Sequence, residues 1–194
     1  MLTKTFKLMT SFTKKLEEII RVDHAGEMGA KVIYSGQMAA LKLKKDDETL
    51  QLVKHMKEQE DVHFDYFNSE IRKQKIRPTA MQPIWKIGGF ALGFFTALAG
   101  KKAAMTCTTA VEEVIDEHYQ EQVAALVAEE KFLDENQKKE VEQLKEKIEK
   151  FRAEELEHRD IAYENKAAEL TCFTPLSAAI KCATKFAIAV SKRV

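Results

Sequence analysis

The chain has 194 residues with 31 basic and 31 acidic side chains, so its formal charge is zero, and it carries only seven Gly and three Pro. So few breakers exclude collagen-like, disordered and turn-rich β architectures, and the length suits one core and one domain. The three cysteines, Cys107, Cys172 and Cys182, form no CxxC, which excludes a disulfide framework and a cysteine-based zinc or rubredoxin-type iron site.

Helices follow one another along the chain. Residues 1–15 form an N-terminal extension with Lys and no acid; rich in Ser and Thr, it has a faint transit-peptide character but lacks Arg. A first helix is predicted over about 15–43, and Asp46-Asp47 offers an N-cap for a second running to about residue 74. Pro78 and Pro83 close that unit. One helical stretch follows over about 84–130, with Gly88, Gly89, Gly93 and Gly100 in its first part. Asp134 caps a fourth helix reaching about residue 168, and Pro175 heads a last short one.

The zero charge is a cancellation. Segments 1–16, 71–111 and 171–194 hold 15 basic residues and no acid, which leaves 16 basic residues among all 31 acidic ones elsewhere. Basic segments with long apolar runs suit an anionic membrane surface better than nucleic acid. Within the 78–104 segment, the 14 uncharged residues from Ile87 to Gly100 are too few to span a bilayer, which needs about 20. Two readings stay open: an interfacial or tunnel-lining segment, with Lys101 and Lys102 meeting the lipid surface, or an ordinary buried helix. The 171–194 segment adds an amphipathic candidate, with Leu176, Ile180, Ala183 and Ala187 set against Lys181 and Lys185.

Acidic residues occupy positions where helical periodicity calls for apolar ones. Val53, Met56, Glu60, His63 and Phe67 recur at steps of three and four, as do Val141, Leu144, Ile148, Phe151, Glu155, His158 and Ala162. Two Glu-x-x-His pairs on core-facing stripes need a compensating cation. Four-helix bundles that bind two metals combine two such pairs with one Glu from each of two further helices. The same stepping selects Glu27 on the first helix and Glu112, not Glu113, on the third. Glu154 and Glu157 turn to solvent, and His55 is solvated.

These residues carry a family likeness. Arg21-Val22-Asp23-His24-Ala25-Gly26-Glu27, with Gly29-Ala30 and Ile33-Tyr34-Ser35-Gly36-Gln37, resembles the first-helix signature of the demethoxyubiquinone hydroxylases, di-iron carboxylate proteins of the ferritin-like superfamily. The likeness continues through Phe90-Ala91-Leu92-Gly93, Cys107-Thr108, Ala110-Val111-Glu112-Glu113, His118-Tyr119 and Glu154-Glu155-Leu156-Glu157-His158, from about residue 20 to the C-terminus. Two departures are Met28, where Tyr is common, and a longer link around 129–139.

The resemblance implies an all-α, ferritin-like four-helix bundle with additional membrane-facing helical segments. It implies two iron ions held by Glu27, Glu60, His63, Glu112, Glu155 and His158, with Glu60 and Glu155 bridging, and a role for His118 and Tyr119 in electron delivery. The implied activity is an O2-dependent monooxygenase reaction on the ring of a demethoxyubiquinone or demethoxyubiquinol in ubiquinone biosynthesis. The substrate is then an isoprenoid quinone, with reducing equivalents from NADH or a reductase or quinol. Further expectations are a membrane-surface location, on the cytoplasmic face of a bacterial membrane or the matrix side of the mitochondrial inner membrane, no nucleic-acid partner, and biosynthetic partner proteins or a homodimer. The alternatives are another ferritin-like di-iron protein, a ferroxidase or peroxide-reducing protein, or a metal-free membrane-surface scaffold. Asp61, Asp160, Asp23 and Glu157 are candidate acceptors for the outer N–H groups of the ligand histidines, and Gly26, Gly29 and Gly36 are spaced to let helices approach.

Overall fold

The computed structural model describes residues 2–193, with side chains from Phe12 onward. It is all-α, with helices α1 (Leu2–Lys44), α2 (Asp47–Lys73), α3 (Gln82–Ala99), α4 (Lys101–Glu130), α5 (Glu135–Glu164) and α6 (Phe173–Ser191) and a short 3-10 turn at Ala167–Glu169. Of the N-terminal extension, Met1 lies outside the described residues and the backbone from Leu2 is the start of α1. No strand occurs among the described residues.

Local chemistry sets the helix ends. The Asp46 side chain accepts from the Thr49 N–H, and Asp134 forms a full capping box with Gln137. Lys45 and Lys75 stop α1 and α2 at φ 56° each. The next residue then closes a backbone bond to the last turn, Asp46 N–H to Leu41 O (3.1 Å) and Ile76 N–H to Ile71 O (2.9 Å). The single helical stretch expected over 84–130 is two helices. Gly100 divides them at φ 130°, a backbone conformation that side-chain-bearing residues rarely adopt.

Helices α1, α2, α4 and α5 form a ferritin-like bundle, with α3 and α6 outside it. Pairings such as Lys31 with Asp61 and Arg152 with Asp116 set α1 antiparallel to α2 and α4 antiparallel to α5. α3 runs parallel to α1, and α6 runs parallel to α4. The chain is thus two similar halves, α1–α3 and α4–α6, each a helical hairpin with an apolar helix laid on its first arm. The core fills the bundle from Leu16, Ile20 and Phe67 to Leu126, Ile148 and Phe151 at one end and from Leu41, Val53 and Met56 to Met105 and Ala162 at the other.

The glycines do two different jobs. A Cβ on Gly93 would run into the Ile33 backbone, and one on Gly36 into the Phe90 and Phe94 backbone, so α1 and α3 cross in backbone contact. Gly26 and Gly29, expected to serve helix approach, have open space where a Cβ would sit. With Gly88 and Gly89 they line an apolar cavity of about 340 Å³, walled also by Trp85, Ile115 and Ile188.

Candidate metal centre

All six carboxylate and imidazole side chains singled out by the stripe pattern are buried at the middle of the bundle, none more than 1% exposed. Their helical spacing accounts for this, since residues three or four apart share a face, and on all four helices that face is the one turned inward. They fall into two overlapping groups, Glu27, Glu60, His63 and Glu155, and Glu60, Glu112, Glu155 and His158. Within each group one ligand atom per residue lies within 4.8 Å of the others, and Glu60 and Glu155 belong to both. His63 Nδ1 lies 3.0 Å from Glu155 Oε1 and 3.4 Å from Glu27 Oε2. His158 Nδ1 lies 3.2 Å from Glu155 Oε2 and 3.3 Å from Glu60 Oε1.

The electrostatics show how much charge has been gathered here. Burial, followed by repulsion from Glu155, raises Glu60 and Glu112 well above the usual carboxylate range. Burial also pushes Glu155 upward, but hydrogen bonds from His158 and His63 outweigh it and hold Glu155 well below that range. Burial would lower His63, yet its hydrogen bond to Glu155 and the close Glu27 carboxylate push it up to about 12. Protons therefore stand in for positive charge within the cluster. Both Glu60 oxygens, Glu27 Oε2 and Glu112 Oε2 are buried without a hydrogen-bond partner. Such orphaned acceptors are costly, and this hard oxygen and imidazole donor set fits two divalent cations.

Two tyrosines complete the cluster. Tyr34 donates to Glu112 Oε1 at 2.5 Å, and Tyr119 donates to Glu27 Oε1. Each tyrosine lies seven residues after the glutamate of its own helix and serves the glutamate of the other half. Tyr119 thus touches the cluster, whereas its neighbour His118, one 100° helical step away, turns from it with its side chain only 11% exposed. His118 Nε2 lies 2.9 Å from Gln122 Nε2, which also donates to Asp23 Oδ1 at 2.6 Å. It lines a surface hollow with Lys15, Glu18, Glu121 and Lys192. Burial lowers the His118 imidazole to about 4, whereas burial of Asp23 raises its carboxyl.

The outer partners of the cluster histidines differ from those expected. His63 Nε2 meets Glu154 Oε2 at 2.6 Å, and His158 Nε2 meets Gln59 Oε1 at 2.7 Å. The four acidic candidates are engaged elsewhere: Asp61 with Lys31 and Lys57, Asp160 with Arg159, Asp23 with Gln122, and Glu157 with Gln59 and His55. Glu154, expected to face solvent, keeps only 23% of its side chain exposed. A signal was available, since Gln59 and Glu154 each immediately precede the glutamate of their helix that belongs to both groups.

Comparison with known proteins agrees with this geometry. Residues 14–191 match the COQ7 family, described as ubiquinone biosynthesis protein COQ7. The chain belongs to that family. It is similar to a 3-demethoxyubiquinol 3-hydroxylase of Rhodospirillum rubrum, with 45% identity over 179 residues that cover 92% of this chain and 78% of the relative. It is 42% identical over 181 residues to a mitochondrial NADPH-dependent 3-demethoxyubiquinone 3-hydroxylase of Homo sapiens, with the same coverage of 92% and 78%. A mitochondrial 5-demethoxyubiquinone hydroxylase of Saccharomyces cerevisiae is 37% identical over 183 residues. These names are those of hydroxylases, not of ferroxidases or peroxide-reducing proteins.

Proposed function

We propose that this chain is a di-iron monooxygenase that hydroxylates the ring of a demethoxyubiquinol or demethoxyubiquinone intermediate. The observation that carries this reading is the pair of overlapping carboxylate-imidazole groups beside a glycine-lined apolar cavity, in a chain of the COQ7 family. Glu27, His63, Glu112 and His158 would each serve one iron, and Glu60 and Glu155 both. Bound there, the two irons would supply reductive activation of O2. The protein's own contribution is placement. Tyr34 and Tyr119 fix the orientation of Glu112 and Glu27, and the surrounding core excludes bulk water.

Ring access follows from the same geometry. Gly26 and Val111, in the cavity wall, each precede a cluster residue, Glu27 and Glu112. The absent side chains at Gly26, Gly29 and Gly88 leave the width that a quinone ring and isoprenoid tail require. His118 sits at the surface hollow and Tyr119 inside, so electrons would enter along that helix face. The donor in the names of the human and Dictyostelium discoideum relatives is NADPH. We adopt NADPH for this chain in place of NADH, directly or through a reductase.

The outer faces of α3 and α6 supply the membrane contact in this reading. Ile87 and Phe95 on α3 and Phe186 on α6 are 75%, 64% and 63% exposed. Lys101 and Lys102 pair with Glu48 and Glu169, so lipid contact falls to the apolar side chains rather than to these two lysines. Residues 1–194 then form one ferritin-like domain whose 78–104 and 171–194 segments rest on the membrane. That membrane is the cytoplasmic face of a bacterial membrane or the matrix side of the mitochondrial inner membrane, and biosynthetic partners or a second copy would meet the chain there. Anaerobic reconstitution tests the metal part: two irons per chain, with ring-hydroxylated product on adding demethoxyubiquinol analogue, NADPH and O2, support the reading. Trace iron only would overturn it.

A further inference from the structure

The two halves place an acceptor behind each cluster histidine, at the residue just before the shared glutamate of the same helix, but they fill that place differently. Behind His63 it is the Glu154 carboxylate at 2.6 Å, and behind His158 the Gln59 carboxamide oxygen at 2.7 Å. Both rings present Nδ1 to the cluster, so both use Nε2–H outward. The Gln59 amide nitrogen lies 3.4 Å from Glu157 Oε2, which keeps its oxygen toward His158. Besides His63, Glu154 meets Lys150 at 3.5 Å, on its other oxygen and 58% exposed, where water screens it.

A carboxylate accepting an imidazole N–H draws the proton toward itself and makes the opposite nitrogen a better donor to a metal; a carboxamide does so far less. The remaining parts match between the halves: each group has one unshared glutamate held by one tyrosine hydroxyl, plus the shared Glu60 and Glu155. We infer that the two metal positions are unequal, the one formed with Glu27 and His63 binding a divalent cation more tightly than the one formed with Glu112 and His158, and that Glu154 is the positioning residue responsible. This rests on the metal-centre reading above. Outer partners of this kind typically change metal affinity by about 10- to 100-fold.

Anaerobic titration of the full metal-free chain with Co(II), followed by calorimetry and visible absorption, tests it. The wild type should fill in two steps separated about tenfold or more, with the tight step surviving His158→Ala and lost in His63→Ala. Glu154→Gln should weaken the tight step about tenfold or more, merging the two, and Gln59→Glu should tighten the weak one. Circular dichroism establishes that each variant is folded. If folded Glu154→Gln gives the wild-type isotherm, or weakens both steps equally, the inference is overturned. Should Glu154→Gln fail to fold, Gln59→Glu decides, and an unchanged weak step overturns the inference. If the wild type binds no Co(II), the metal-centre reading fails and the inference with it; two equal steps in the wild type overturn the inference alone.

Discussion

In the first half of the molecule α3 meets α1 backbone to backbone at Gly36 and Gly93, whereas in the second half α6 is held to α4 by the Lys181–Glu113 and Lys185–Glu117 ion pairs. Between the two lies the apolar cavity, its far end joined by the Trp85 Nε1–H bond to Ser191 Oγ at 3.1 Å. The α3 wall cannot shift without breaking van der Waals contact along its crossing. The α6 wall is seated by side chains, with Ile180 buried in the core and the two ion pairs half-exposed, where each contributes at most about 1 kcal/mol. One similar half thus sets its wall of the cavity by backbone contact and the other by side chains.

The sharpest way to break the comparison is at the cluster, where Glu155 and Glu60 are shared alike but bonded differently. Glu155 accepts from both imidazoles, and neither Glu60 oxygen has a hydrogen-bond partner. Glu155→Gln should therefore cost the metal-free protein about 3–5 kcal/mol, the usual result of leaving a buried charge unpaired, and Glu60→Gln close to nothing. Urea unfolding of both variants checks this, and equal losses would refute the difference.

Next come the two kinds of glycine. Gly93→Ala places a methyl group against the Ile33 backbone and should cost about 1–3 kcal/mol by overpacking. Gly26→Ala meets nothing within 4 Å, so thermal melting should be nearly unchanged while the KM for a long-tailed quinone rises. Equal melting temperatures for the two variants would break the distinction between crossing and cavity glycines.

The halves also differ in that α4 carries a histidine turned from the cluster after its glutamate and α1 does not: His118 stands where α1 has Ile33. The folded state holds the His118 imidazole at about 4 against an ordinary 6.5, because burial disfavours its charged form. The unfolded chain therefore binds the extra proton first. Stability from this residue is complete above pH 6.5 and lost as pH falls toward 4, by up to about 3 kcal/mol at about 1.4 kcal/mol per pH unit. As pH falls from 6.5 to 4 the urea midpoint of the wild type should drop relative to that of His118→Gln, and parallel pH profiles would refute the assignment.

The smallest effect lies at the hairpin of the first half. Lys45 stands at φ 56° where a helix end favours glycine, so Lys45→Gly should stabilise by about 1 kcal/mol. The second half closes its hairpin over Lys131 to Asp134 with a capping box, and Lys131→Gly there should not stabilise. Calorimetric melting of the two variants separates the cases.

Helical spacing made the bundle and the inward set readable from the chain, because burying a stripe obliges every third or fourth residue to share its fate; Glu112 was separable from Glu113 on that ground alone. Caps at Asp46 and Asp134 were readable because the chemistry is local. The break at Gly100 was hidden among three other glycines that α3 tolerates. Gly26 and Gly29 could not be told from Gly36, since whether a missing side chain admits a helix or leaves a space depends on what lies opposite. The histidine partners Gln59 and Glu154 had a local signal in their place just before Glu60 and Glu155, but each bond joins residues about a hundred positions apart across α2 and α5, and only the packing shows which residue meets which ring.

The central claim, ring hydroxylation by a metal centre built on the shared glutamates, is tested most directly by the quinone profile of cells that lack their own hydroxylase and carry this chain as wild type or Glu155→Ala. The wild type should restore ubiquinone, and cells with Glu155→Ala should accumulate the demethoxy precursor at equal protein level. Restoration by Glu155→Ala, or accumulation of the precursor with the wild type, would contradict it.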